Sequence, residues 1–245
     1  MTKTRLDLAV VEQGLADSRQ KARALIMAGA VLVNDQPVTK AGTAISLDAE
    51  IRIKGNPLPY VSRGGVKLAG ALEHFDLDVA GMTVLDVGIS TGGFTDCLLQ
   101  RGAAHVYGVD VGRGQVAWKL QQDPRVTLFE GENARHFDSA RLPVQVDLVV
   151  ADVSFISLTL VLPLIAAALR PGGTALPMVK PQFEVGREAV GRKGVVRDEG
   201  LRQGAVEKIA TASREAGFSV LGQVASTLPG PQGNVEFFLH LQRLK

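Results

Sequence analysis

Two lysines lie where the surrounding residues are apolar. Lys67 lies in SRGGVKLAGAL, on the first turns of an otherwise apolar predicted helix, and Lys180 ends the apolar strand of MVKPQFE, immediately before Pro181. Lysine can act as a general base when burial and neighbouring positive charge favour its neutral form. Lys180 is therefore a candidate base and Lys67 a candidate second cation of the same site; the alternative is that both are ordinary surface charges.

Two acidic residues could hold these lysines in place. Asp152 follows the apolar run of DLVVADVS, and Glu236 lies in the last predicted strand, NVEFFLHLQRL. Asp152 could orient Lys180, and Glu236 could position Lys67. Taken singly, each residue has an ordinary alternative, because a strand-end lysine usually extends to solvent and Glu236 could lie on the exposed face of its strand.

A glycine-rich turn links a predicted strand to a predicted helix in VLDVGISTGGF. Glycines in such a turn let the backbone approach a ligand closely, and an acidic residue at the end of the next strand, here Asp110, can accept hydrogen bonds from ribose hydroxyls. A dinucleotide-binding turn would have a glycine at Ser90. Asp86, two residues before Gly88, suits a positively charged ligand such as S-adenosylmethionine better than it suits a pyrophosphate.

The type of methyl acceptor follows from what the sequence lacks. Enzymes that methylate exocyclic amino groups commonly carry an Asn/Asp-Pro-Pro-aromatic motif after the fourth strand, where this chain has ADVSF. Methylation of carbon through a covalent adduct needs a cysteine nucleophile, and Cys97 lies on the predicted helix behind the glycine turn. The remaining acceptor is oxygen, and a sugar hydroxyl needs a base to take its proton.

The predicted elements divide the chain into two domains. Helices at 5–14 and 18–28, the second starting at Ser18 and ending at Gly29, are followed by short strands in AVLVND, QPV and AEIRIKG. The turn-rich segment 54–60 is a predicted linker. After it, apolar strands alternate with helices at 93–101, 115–121, 157–169 and 198–216, which predicts a parallel sheet covered on both faces, with the last strand antiparallel.

Composition restricts the class of protein. A single cysteine excludes an internal disulfide and a cysteine-rich zinc site, so we predict no metal site and a reducing cytoplasmic location. The longest apolar run, at 158–169, is too short to span a bilayer, and no export signal is visible at the start of the chain. Residues 1–67 contain ten Lys and Arg against six Asp and Glu, which favours an anionic partner such as nucleic acid.

These motifs together resemble the TlyA (haemolysin A) family of bacterial ribosomal RNA 2′-O-methyltransferases. The resemblance covers nearly the whole chain: RLDLAVVEQGLADSRQKARALIMAGAVLVNDQPV is similar to an S4 domain, and YVSRGGVKLAGAL, LDVGISTGGFTDCLLQRGA, ADVSFISL, VKPQFEVGR, KGVVRD and GNVEFF are similar to an FtsJ-like methyltransferase domain. It implies an α+β S4-like RNA-binding domain at 1–58. A Rossmann-like α/β methyltransferase domain would follow at 59–245, with a seven-stranded sheet.

The resemblance also implies roles for individual residues. The FtsJ-like Lys-Asp-Lys-Glu tetrad maps onto Lys67, Asp152, Lys180 and Glu236, with Lys180 as the base. The implied substrate is a cytidine ribose in ribosomal RNA or in a ribosomal subunit. Candidate contacts to the cofactor S-adenosyl-L-methionine are Asp86, Gly88, Ser90, Gly92, Gly93, Phe94, Asp110, Asn133, Ala134 and Asp152. Candidate RNA contacts are Arg5, Arg19, Lys21, Arg23 and Arg63.

Two other functions stay open at this point. The family's name suggests a membrane-active haemolysin, although the sequence shows no spanning segment and no long cationic amphipathic helix. The chain could also be a non-catalytic RNA-binding or ribosome-assembly factor that keeps the fold. The sequence leaves the modified nucleotide, the subunit and the oligomeric state undecided.

Overall fold

The computed structural model describes residues 3–16, 18–47, 49–54, 59–191 and 194–245. The chain divides into two compact units: Met1–Pro59, to which Pro231–Gly233 are assigned, and Tyr60–Gly230 with Asn234–Lys245. The predicted linker 54–60 contains residues 55–58, which lie outside the described residues.

The first unit packs two short helices against short strands. Its elements are β1 (Lys3–Arg5), α1 (Leu6–Glu12), α2 (Arg19–Met27), β2 (Val31–Val33), β3 (Gln36–Pro37), β4 (Ala44–Ser46) and β5 (Ile51–Ile53). Strands β1 and β4 form one antiparallel pair, and β3, β2 and β5 form a second small sheet. The two helices and the strands share one apolar core that includes Leu6, Val10, Ile26, Val31 and Ile51.

Both predicted helices of this unit are present, but the first is shorter than predicted and ends at Glu12 instead of residue 14. Ser18 caps α2, since its Oγ accepts the Lys21 N–H at 3.2 Å. The first helix begins at Leu6 instead of residue 5, because Arg5 is extended and pairs with Ala44. Strands β1 and β4, which pair with each other, were not predicted.

The second unit is a seven-stranded sheet covered by helices on both faces. Its elements are α3 (Arg63–His74), β6 (Thr83–Val87), α4 (Gly93–Gln100), β7 (His105–Asp110), α5 (Trp118–Gln121), β8 (Val126–Glu130), β9 (Val146–Ala151), α6 (Leu162–Ala168), β10 (Leu169–Val179), α7 (Pro181–Glu184), α8 (Glu199–Glu215), β11 (Phe218–Ala225) and β12 (Phe237–Arg243). The strand order is β11-β12-β10-β9-β6-β7-β8, and β12 is antiparallel to both neighbours. This confirms the predicted fold and the antiparallel last strand.

Side chains of the central strands pack on both faces of this sheet. Leu85 and Val87 of β6 belong to the core that contains α6 and α8 residues, whereas Val84 belongs to the opposite core, with α3 and α4. Burial on both faces explains why these strands are continuous apolar runs in the sequence.

Two predicted helices are shorter than expected: the helix predicted at 115–121 spans only Trp118–Gln121, and that predicted at 157–169 starts late. The segment 157–169 starts as a 3₁₀ turn at Leu158–Leu160, and α6 begins only at Leu162. Pro163 occupies the first turn of α6, where a missing N–H is tolerated. Within the described ranges, no helix combines the length and apolar character needed to cross a membrane.

Candidate active site

The sheet brings the candidate residues to one edge. Strands β7, β6, β9 and β10 run parallel, so the residues that follow them lie at the same edge. Ligands of such sheets bind outside the carboxyl ends of the strands. The glycine turn after β6, Asp110 at the end of β7, Asp152 after β9 and Lys180 after β10 therefore face one region.

The glycine turn has a conformation that its sequence makes possible. Gly88 and Gly92 have φ of 85° and 94°, and a Cβ added at Gly88 would lie 2.7 Å from the Asp152 carbonyl oxygen. Ser90 also has a positive φ, 49°, which is uncommon for a residue other than glycine. The turn is thus packed closely against the loop that carries Asp152.

Asp86 fits the role predicted for it toward a cationic cofactor. Its side chain is fully buried, and one carboxylate oxygen accepts a hydrogen bond from Thr95 Oγ1 at 2.7 Å. The other oxygen, Oδ1, has no hydrogen-bond partner among the described residues. Burial, together with the nearby carboxylates of Asp152 and Asp110, raises the pKa of Asp86 to about 7, although the hydrogen bond from Thr95 favours the charged form. A positively charged group placed against Oδ1 would satisfy both its hydrogen-bonding capacity and its charge.

Asp110 supports the turn and keeps capacity for a ligand. Its two carboxylate oxygens accept the N–H groups of Ser90 at 2.8 Å and Gly112 at 2.7 Å. Each oxygen has a second lone pair that could accept a hydroxyl.

The cofactor candidates Asn133, Ala134 and Phe94 differ in how far their side chains are exposed. Asn133 is exposed and closes a local turn by accepting the Arg135 N–H at 3.0 Å, and the partly buried Ala134 packs against the core. The side chain of Phe94 is buried and its ring lies 5.9 Å from that of Phe238. Phe94 could therefore contact a cofactor only through its backbone, because its side chain belongs to the core.

The four residues of the proposed tetrad form two ion pairs. Lys180 Nζ lies 2.5 Å from Asp152 Oδ1, and Lys67 Nζ lies 2.5 Å from Glu236 Oε2. Lys180 also donates a hydrogen bond to Ser154 Oγ at 2.9 Å. The side chain of Asp152 is 25% exposed and that of Glu236 is 0% exposed. The Lys180 pair is therefore the one that an incoming substrate can reach more easily.

Close packing of backbone places Lys67 in the interior. A Cβ added at Gly93 would collide with the start of α3, where its neighbours would be Oγ of Ser62, the residue before the helix, and the Gly65 backbone. A Cβ at Gly230 would collide with the Glu236 carboxylate. Glycine at these positions allows α3 to approach α4, and allows Glu236 to be buried beside Lys67.

Two further residues at this edge were not selected by sequence reasoning. Phe155, three residues after Asp152, is 91% exposed and has φ of 62°, and its ring lies 5.1 Å from that of Phe183. Glu184 is buried and accepts hydrogen bonds from Leu158 N–H at 2.8 Å and Ser157 Oγ at 2.6 Å. Glu184 thereby ties the loop after β9 to α7, which follows Lys180. The quoted motifs ADVSF and VKPQFE contain both residues, but a single sequence gives no sign of an unusual φ or of this contact.

The basic residues predicted to bind RNA have different surroundings. Arg5, Arg19 and Arg23 all contact the buried Asp7, and Lys21 is exposed on α2. Arg63, in the second unit, is partly buried and donates to the Pro229 carbonyl at 2.9 Å. Burial lowers the pKa of Arg63.

No group of three or more His, Cys, Asp or Glu side chains that could hold a metal ion is found in the part of the chain that the structure describes. Cys97 is buried on α4, and burial raises the pKa of its thiol. The thiol is therefore not presented to a substrate at the sheet edge.

Comparison with protein families gives two matches that together cover most of the chain. Residues 60–243 match the FtsJ-like methyltransferase model, and residues 4–51 match the S4 domain model. These ranges correspond to the second and first compact units.

Individual proteins are similar over almost the full length. The 16S/23S rRNA (cytidine-2′-O)-methyltransferase TlyA of Mycobacterium tuberculosis is 48% identical over 241 residues, covering 98% of this chain and 90% of that protein. Hemolysin A of Brachyspira hyodysenteriae is 38% identical over 237 residues, covering 96% of this chain and 98% of that protein. The solved structure of a Streptococcus thermophilus protein named as a hemolysin superposes with a TM-score of 0.85 at 43% identity, covering 100% of this chain and 90% of that one.

Proposed function

Because the chain belongs to the FtsJ-like methyltransferase family and carries an S4 domain, we propose that it methylates a ribose 2′-hydroxyl of ribosomal RNA, with a cytidine as the target nucleotide. The family makes it an enzyme that uses S-adenosyl-L-methionine and acts on RNA. The cytidine, the ribosomal subunit as substrate and the residues of the tetrad are the finer parts of the proposal.

One observation carries the assignment of the reacting residues. Two lysine–carboxylate pairs, each with an N–O distance of 2.5 Å, belong to the unit that holds the glycine turn and the buried Asp86. Of the two lysines, only Lys180 follows a strand at the carboxyl edge and pairs with the partly exposed Asp152. This supports Lys180 as the residue that contacts the acceptor hydroxyl.

The proposed mechanism assigns one task to each residue. S-adenosyl-L-methionine, when bound, supplies a methyl group on a positively charged sulfur. Asp86 and the glycine turn would hold its charged and nucleoside parts. Lys180, in its neutral form, accepts the proton of the 2′-hydroxyl at Nζ, so that the oxygen becomes nucleophilic as the methyl group is transferred. Asp152 and Ser154 orient Nζ, and the Lys67–Glu236 pair maintains the electrostatic environment around it.

The experiment that tests this function uses the full chain with methyl-labelled S-adenosyl-L-methionine and separated ribosomal subunits. The RNA is then hydrolysed with alkali, because a 2′-O-methyl group blocks cleavage at its own nucleotide. Label in an alkali-resistant dinucleotide with cytidine at its 5′ position is the expected result. Label in mononucleotides would mean that a base is methylated. No transfer to either subunit or to free ribosomal RNA would favour a non-catalytic binder.

Phe155 should contribute to binding of the RNA target. An exposed phenylalanine with a positive φ is costly to maintain unless it has a task, and an aromatic ring at this position can stack on a base. Stacking is worth about 1–3 kcal/mol per base, so we expect Phe155→Ala to lower kcat/KM for the ribosomal substrate by about 5- to 100-fold. Phe155→Trp should keep most of the activity.

Affinity for S-adenosyl-L-methionine, measured by calorimetry, is the control for this prediction and should not change in either variant. Equal activity of Phe155→Ala and wild type on every ribosomal substrate would contradict a stacking role.

A further inference from the structure

The first unit contains a buried carboxylate surrounded by arginines. The side chain of Asp7, on α1, is 0% exposed, whereas those of Arg5, Arg19 and Arg23 are 47%, 48% and 50% exposed. Arg5 belongs to β1 and the other two arginines to α2. Three cations and one anion therefore meet at one point where three elements converge.

The contacts leave the outer parts of the guanidinium groups available. Arg5 uses Nε at 3.0 Å and Nη2 at 3.2 Å to bind the two oxygens of Asp7. Arg19 and Arg23 each donate Nε to Oδ2, at 2.9 Å and 3.1 Å. A guanidinium has five N–H donors in a fixed plane, so Arg19 and Arg23 still have their Nη edges for another acceptor. Because each side chain is about half exposed, these edges can meet a ligand from solution.

Without Asp7 the cluster would not hold together. Three like charges that converge on one point repel one another, and long side chains lose rotamer entropy when they are fixed. The hydrogen bond from Arg5, followed by those from Arg19 and Arg23, keeps the pKa of Asp7 well below its ordinary value despite burial. Asp7 is therefore charged at every physiological pH, and the cluster keeps an excess of two positive charges.

We propose that Asp7 is a positioning residue for RNA binding: it aligns the guanidinium groups of Arg5, Arg19 and Arg23 into one site for adjacent backbone phosphates. This inference rests on the proposed function, since the phosphates are those of the RNA substrate. Asp7 is acidic, so its charge alone would oppose RNA binding, whereas this inference gives it a role that favours binding. Planar arginine forks suit phosphate oxygens better than flexible ammonium groups do.

The proposal and simple electrostatics predict opposite results for Asp7→Asn. Removing a negative charge should strengthen binding to RNA if only net charge matters. If Asp7 aligns the arginines, the variant amide presents N–H donors toward guanidinium donors, and the cluster separates. We expect the affinity of the full-length protein for ribosomal subunits to fall by about tenfold, the scale of one lost charge-assisted contact.

Asp35→Asn is the matched control. Asp35→Asn removes the same charge from the same unit, but the side chain of Asp35 is 65% exposed and pairs with a single arginine, Arg52. The affinity of Asp35→Asn for ribosomal subunits should equal or exceed that of wild type. The slope of log K against log salt between about 50 and 200 mM should become shallower in Asp7→Asn, because fewer phosphates are neutralised together. A merely structural defect that left the arginines aligned would not change this slope.

Charge-preserving variants keep the test decisive if Asp7→Asn unfolds the first unit. In Arg19→Lys and Arg23→Lys, one ammonium cannot both bind Asp7 and offer a planar fork to phosphate, so each should lose at least about threefold in affinity, with unchanged net charge. Arg52→Lys is their control and should change little.

Two results would overturn the inference. In the first, Asp7→Asn and both lysine variants bind ribosomal subunits as tightly as their controls do. This result would overturn the role of Asp7 but leave the proposed function intact. Failure of wild-type protein to bind any ribosomal subunit or ribosomal RNA would overturn it together with the proposed function.

Discussion

Lys180→Ala is expected to abolish most methyl transfer, with a fall in kcat of about 10²- to 10⁴-fold, the range associated with loss of a general base. The variant removes the amine that is proposed to take the hydroxyl proton and that lies 2.5 Å from Asp152 Oδ1. Binding of S-adenosyl-L-methionine should persist, because Asp86 and the glycine turn are unchanged. The measurement is single-turnover transfer of labelled methyl to ribosomal subunits, which reports the chemical step.

Lys180→Arg separates a base from a simple positive charge. Arginine keeps the charge and can pair with Asp152, but it stays protonated and cannot accept the proton. We expect Lys180→Arg to be about as inactive as Lys180→Ala. Lys67→Arg, made in parallel, should retain more activity if the Lys67–Glu236 pair acts electrostatically. The reverse pattern, with an active Lys180→Arg and an inactive Lys67→Arg, would assign the base to Lys67.

Asp86→Asn is expected to weaken binding of S-adenosyl-L-methionine by about 10- to 100-fold, the scale of a lost hydrogen bond to a charged group. Asp86 is fully buried and one of its oxygens has no partner among the residues described. A cationic group of the ligand would therefore form a charged hydrogen bond with the wild-type carboxylate, whereas the neutral amide of Asp86→Asn would bind that group only weakly. Isothermal titration of the purified protein measures this directly. Asp78→Asn, at an exposed acid outside the sheet edge, should bind normally.

The same variant should change how stability depends on pH. Burial raises the pKa of Asp86 from 3.8 to about 7, so between these values the folded chain holds a proton that the unfolded chain has released. The contribution of Asp86 to the free energy of unfolding is therefore fully present below about pH 4 and falls as the pH rises to about 7, by an amount on the order of 4 kcal/mol.

Asp86→Asn should lack this decrease. Denaturant unfolding of the cofactor-free protein at several pH values, with Asp78→Asn as the control, measures the difference between wild type and variant. A difference that stays constant from pH 4 to pH 8 would contradict a raised pKa for Asp86.

The first unit shows where reasoning from the sequence stops. Local signals located its helices: Ser18 is the N-cap of α2, and Gly29, which follows α2, takes a positive φ. They could not reveal that Asp7 accepts hydrogen bonds from Arg5, Arg19 and Arg23. Arg19 and Arg23 share a helix face by their spacing of four, but their common partner lies on another helix, and only the packing of α1 against α2 brings it into contact.

The active site shows the same division. The sequence by itself determined the alternation of strands and helices. It thereby placed Asp86, Asp110, Asp152 and Lys180 near the carboxyl ends of parallel strands, which meet at one edge of the sheet. It also indicated which acid could serve which lysine. Tertiary structure alone decided that Lys67 and Glu236, which are 169 residues apart, meet in the interior, and that Phe155 projects from the loop after Asp152. Contacts of this kind depend on helix packing at Gly93 and on a backbone angle at Phe155, and neither leaves a periodic pattern in the chain.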